Sequence, residues 1–83
     1  MVIKILGAGC ANCQRVEATA REIIRELGID AQVEHVTDYK AIMAYGVMAT
    51  PAVVINEKLV SAGRVPSKAE MTSWITTALS SES

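Results

Sequence analysis

The sequence contains no phenylalanine, and Trp74, Tyr39 and Tyr45 are its only aromatic residues. A core of packed rings is excluded. Packing must rest on Val, Ile, Leu, Met and Ala, which the 51% hydrophobic content supplies. Long apolar runs are missing too: nothing approaches the ~20 residues of a spanning helix. The start, Met1 to Leu6, is too short for the apolar part of a signal peptide. Charge of one sign is also lacking, since eight basic side chains meet nine acidic ones for a formal net charge of −1. Without a basic stripe a nucleic-acid partner is excluded, and no membrane partner is expected. These absences read as a soluble, cytoplasmic protein. The 83 residues allow one domain over 1–83, with no room for a second core.

What is present falls into short segments of changing period. Val2 to Leu6, broken only by Lys4, reads as a mostly buried strand before a Gly7-Ala8-Gly9 turn. From Cys10 the period becomes helical: Cys13, Val16, Ala20, Ile23, Ile24 and Leu27 share one face, and Gly28 stops the helix. Ala31 to Val36 alternates as a second strand. Thr37 or Asp38 caps a short helix reaching about Tyr45, with Gly46 as its stop. Ala52 to Ile55 and Leu59 to Ala62 form a hairpin around Asn56-Glu57. Ser67 to Glu70 has the capping-box form, opening a last helix with Met71, Trp74, Ile75, Ala78 and Leu79 as its buried stripe. Met43 is also assigned to the core, Met48 is read as core filler or as a soft rim for partners, and Ser80 to Ser83 are expected to fray. The order βαβαββα implies an α/β fold, with a four-stranded mixed sheet and three helices.

The two cysteines, Cys10 and Cys13, carry the chemistry. The cytosol keeps structural disulfides rare, so a pair there points to catalysis or metal binding rather than a staple. Placed between a strand and a helix, Cys10-Ala11-Asn12-Cys13 lies where unpaired N–H groups and the helix dipole stabilise a thiolate. Cys10 would feel this most and have a depressed pKa. Cys13, one turn in on the apolar face, would be more buried. The offset of three brings two sulfurs within disulfide reach. Cys10 then attacks a partner disulfide and Cys13 resolves the mixed disulfide. A metal half-site and a pair of inert core thiols are the other readings of the same spacing. His35, the only histidine, lies on an alternating strand and is read as structural.

The residues around this pair resemble the thioredoxin superfamily, and in particular its small redox-active disulfide branch from archaea and bacteria. Three stretches carry the resemblance: Gly7-Ala8-Gly9-Cys10-Ala11-Asn12-Cys13-Gln14, Tyr45-Gly46-Val47-Met48-Ala49-Thr50-Pro51, and Ala62-Gly63-Arg64-Val65-Pro66-Ser67-Lys68. The resemblance implies a minimal thioredoxin fold, a protein-disulfide reductase without a cofactor, and a cis Pro51 beside the cysteines. It further implies that Ala49, Thr50, Pro51 and Gly63 bind substrate, with the Thr50 backbone pairing with an incoming peptide. The implied partners are disulfide-containing proteins and a reductant like the flavoprotein thioredoxin reductase, acting on a monomer or weak dimer.

Three features depart from typical thioredoxins. Gly9 replaces the Trp before the first cysteine, and Ala11-Asn12 replaces Gly-Pro between the two. Lys4 stands at the offset of a buried acid, and is read as a snorkelling side chain on an open sheet face. The Gly-Gly-Asp element of glutaredoxins is absent. The main rival is a copper or zinc chaperone of the heavy-metal-associated type, which carries Cys-X-X-Cys after its first strand but ends in a strand, in the order βαββαβ.

Overall fold

The computed structural model of the chain describes residues 1–7 and 11–82. Its elements are β1 (Val2–Leu6), α1 (Ala11–Leu27), β2 (Gln32–Val36), α2 (Tyr39–Ala44), β3 (Ala52–Ile55), β4 (Lys58–Ala62) and α3 (Lys68–Glu82). The sheet order is β2-β1-β3-β4. β1 and β2 run parallel, as the α1 crossover demands, and the other pairs are antiparallel. This is the expected α/β fold with its mixed four-stranded sheet, three helices and terminal α3 in place of a strand.

Local chemistry explains where each element starts and stops. Gly28 (φ +63°) donates to the Arg25 carbonyl and Ile29 donates to that of Ile24, both at 3.3 Å, a Schellman closure of α1. The reversal packs Ile29 against the core and leaves Leu27 outside, 42% exposed, against its assignment to the buried stripe. Asp38 caps α2 by accepting the Ala41 N–H at 3.1 Å. Asn56 and Glu57 both have positive φ, +50° and +67°, the signature of a type I′ turn whose twist matches the β3–β4 hairpin. The capping box of α3 is reciprocal: Glu70 N–H donates to Ser67 Oγ and Ser67 N–H to Glu70 Oε1, each at 3.1 Å. α3 stays helical through Glu82 where fraying was expected, and hydroxyls of its last turns, Ser80 and Ser81, bond back to the Thr76 and Thr77 carbonyls.

Alternation along β1 divides the core between the two faces of the sheet. Ile3 and Ile5 join Cys13, Val16, Ala20 and Ile23 of α1, Val53 and Ile55 of β3, and Met71 and Ile75 of α3. Leu6 joins Ile42, Val47, Ala52 and Val54 on the side of α2. Trp74 is half-buried against the first cluster, as packing. Met43 is not core: α2 turns Ile42 inward, and the next residue is left 42% exposed.

Candidate dithiol site

The site grows from the end of β1. Gly7 continues the ladder by donating to the Val36 carbonyl at 2.9 Å. Cys13, in the first turn of α1, is fully buried over this point. The approach is so close that a Cβ on Gly7 would collide with Cys13 Sγ, and would also lie 3.5 Å from Thr50 Cβ. Gly7, Cys13 and Thr50 therefore converge although they belong to three separate segments. Cys10, with Ala8 and Gly9, lies outside the described residues.

The remaining candidates form a second strip along the same edge. The Thr50–Pro51 peptide bond is cis. Pro51 is buried at the entry to β3, while Thr50 and Ala49 are exposed. The Pro51 carbonyl accepts the Gly63 N–H at 2.9 Å. Gly63 has φ +77°, which favours glycine, and a Cβ there would stand 3.2 Å from Ala49 Cβ, so Ala49 would have to give by a few tenths of an ångström. Ala49, Thr50, Pro51 and Gly63 are thus neighbours, and Thr50 joins them to Cys13.

Beyond Gly63, Arg64 forks onto the Glu70 carboxylate at 2.6 and 3.0 Å. Arg64, together with the Ser67 N–H, holds the Glu70 carboxyl down at about 2. The guanidinium also lies 5.9 Å from the centre of the Trp74 ring.

Lys4 stands on the opposite face from Cys13, so no proton passes between them at this position. Its ammonium donates to Tyr45 Oη at 2.9 Å and Glu57 Oε1 at 2.6 Å, and Tyr45 Oη donates to Glu57 Oε2 at 2.9 Å. The Glu57 carboxylate, then the Tyr45 hydroxyl, push the Lys4 pKa up from its ordinary value, and Lys4 in turn lowers that of Glu57. The lysine does more than snorkel: it ties β1 to the hairpin turn and to the end of α2. His35 Nδ1 lies 3.4 Å from Glu17 Oε1.

Two features escaped the sequence reading. In sequence Gly7 reads only as part of a turn, although a glycine closing a strand before a Cys-X-X-Cys helix signals a close approach. The second is an apolar cavity beside Thr50, for which the exposed Met48 was a partial sign.

A sequence model of the family described as "Thioredoxin domain" matches residues 1–76. The chain is 45% identical over 71 residues to a thioredoxin of Methanothermobacter thermautotrophicus, covering 86% of this chain and 92% of that protein. It is 37% identical over 71 residues to a thioredoxin of Methanocaldococcus jannaschii, covering 86% and 81% respectively. With the helix-terminated fold, these matches displace the metal-chaperone alternative. The chain belongs to the thioredoxin family, the small archaeal-type proteins that act as thiol–disulfide oxidoreductases on protein disulfides.

Proposed function

We propose that Cys10 is the attacking nucleophile and Cys13 the resolving thiol of a single thioredoxin-like domain spanning residues 1–83. The supporting observation is burial. Cys13 has no exposed surface and lies packed under Gly7, so a partner's disulfide has no line of approach to its sulfur. Attack from outside falls to Cys10, which immediately precedes the first residue of α1 in the chain. A helix N-terminus favours the thiolate there. Cys10 thiolate attacks one sulfur of the partner disulfide, forms a mixed disulfide and releases the other sulfur as a thiolate. Cys13, deprotonated, then attacks Cys10 Sγ. The partner leaves as a dithiol and the Cys10–Cys13 disulfide takes the oxidation.

Thr50, exposed beside Cys13 and next to cis Pro51, offers its backbone to an extended peptide as an added strand. Ala49 and Gly63 flank that strand. The physiological substrates are disulfide-containing proteins, and a flavoprotein of the thioredoxin-reductase kind regenerates the dithiol in the cytoplasm. Among the described residues no helix is long and apolar enough to cross a membrane.

Insulin disulfide reduction with dithiothreitol as electron source tests the roles. With insulin and no dithiothreitol, pre-reduced Cys13→Ser should accumulate a mixed disulfide through Cys10, visible by mass spectrometry, whereas Cys10→Ser should form no such adduct and should not turn over when dithiothreitol is present. Full turnover by Cys10→Ser would overturn the assignment.

A further inference from the structure

A second cavity lies far from the dithiol. About 360 Å³ opens between the β3–β4 hairpin and the second half of α3. Its floor is apolar, made by buried Ile55 and half-buried Val60, Trp74 and Ala78. Its rim is polar, and Lys58 is the one charged side chain among the described residues that line it. Ile55 pairs with Ile3 near the start of β1, whereas Cys13 lies over Gly7 just past its end. Four residues of strand, about 13 Å, therefore separate the two places.

Two donors on this rim are idle. Lys4 and Lys68 sit on carboxylates, but Lys58 makes no ion pair among the described residues. On α3 the hydroxyls of Thr72, Thr76, Ser80 and Ser81 bond back to carbonyls of the preceding turn. Thr77, which lines the cavity, belongs to the same run, and its hydroxyl has no partner among the described residues. Arg64, the cation over the Trp74 ring, is held by Glu70 and does not line the cavity. An apolar floor under a few convergent polar groups is the common form of a small-molecule site.

We propose that this cavity binds a small organic acid, one carboxylate carried on an apolar body. The body lies on Ile55, Val60, Trp74 and Ala78, where it leaves water. The carboxylate stays at the rim and accepts from the Lys58 ammonium and the Thr77 hydroxyl. A single cation balances a monoanion. A phosphate dianion would keep charge unpaired, and a cationic ligand would be repelled by Lys58. The volume takes one alkyl chain or one ring and excludes a folded partner. The cavity shares no residue with the dithiol edge, so its occupancy does not depend on the dithiol chemistry.

Trp74 is the only tryptophan of the chain, so its fluorescence reads the cavity wall. Titrated with octanoate at neutral pH and fixed ionic strength, the full chain should show a saturable change in emission. Its midpoint should fall at about 1–10 mM, as a ligand of about ten heavy atoms at ordinary efficiency implies. Octanamide, equal in length and uncharged, should bind about threefold more weakly, the scale of a solvent-exposed ion pair. Lys58→Gln changes an exposed side chain and should bring octanoate down to the affinity of octanamide. Ala78→Leu, which fills the floor, should abolish the response to both. No saturable change in the unmodified chain would overturn the site. Equal affinities for the acid and the amide would overturn the carboxylate preference, and undiminished binding by Ala78→Leu would overturn the location.

Discussion

Gly7→Ala tests the packing on which the site depends. The added methyl would collide with Cys13 Sγ, stand 3.6 Å from Cys13 Cβ and 3.5 Å from Thr50 Cβ. The last two are ordinary contacts, so the cost comes from the sulfur and from the φ of +157°, which side chains rarely adopt. Cys13 is fully buried among Ile3, Ile5 and Val16, which leaves its sulfur little room to swing aside. Overpacking of this kind costs about 1–3 kcal/mol, and a fully enclosed partner argues for about 2–3. A domain of this size is stable by roughly 4–12 kcal/mol, so the loss is readily measured.

The assay is urea unfolding of the reduced protein, as a double-mutant cycle with Cys13→Ala. With the sulfur gone, the backbone part of the Gly7→Ala cost should remain and the clash should vanish, giving a coupling of about 1–2 kcal/mol. Gly28→Ala serves as comparison. A Cβ there meets nothing within 4 Å, so only its φ of +63° counts, at about 1–2 kcal/mol, and Cys13→Ala should leave that cost unchanged. Gly7→Ala within about 0.5 kcal/mol of the parent, or an identical cost in both cysteine backgrounds, would refute the contact.

Two further predictions concern charge. Glu70 drops from 4.5 when unfolded to about 2 when folded, mainly through Arg64. A depressed carboxyl stabilises the fold above its unfolded pKa and loses that contribution as pH falls from about 4.5 through about 2. Glu70→Gln should flatten the acid limb of the stability profile measured by urea unfolding; an unchanged limb would contradict the Arg64–Glu70 bond. Lys4 has the opposite sign, since its pKa is raised above 10.5 by Glu57 and Tyr45. Its contribution is complete below 10.5 and is lost only as pH rises through the raised value. An NMR titration of the Lys4 side chain should show a midpoint above 10.5 that falls in Glu57→Gln, and a midpoint at 10.5 would dispose of the network.

Much of the fold was legible because its determinants are local. Helical spacing from Cys13 to Ile23, the Asp38 and Ser67 caps, the Gly28 stop and the Asn56-Glu57 turn each act within a few residues. The structure follows all of them. Where local reasoning failed, a distant partner decided. Leu27 satisfies the helical period but loses its place to Ile29 once the chain reverses. Met43 has an apolar neighbourhood in sequence, but which side of a six-residue helix faces the sheet is settled by Ile42. Lys4 draws its partners from 41 and 53 residues away, and no pattern within β1 announces them.

By itself, then, the sequence determined the order of elements, the Cys-X-X-Cys spacing where a helix begins, and the Thr50-Pro51 step into a strand. Tertiary structure alone decided that Cys13 is sealed beneath Gly7, that Thr50 is drawn to the same point, and that an uncharged cavity opens beside it. The reason is physical: periodicity and caps report interactions between near neighbours, whereas burial and convergence exist only after the sheet has brought remote segments into one layer.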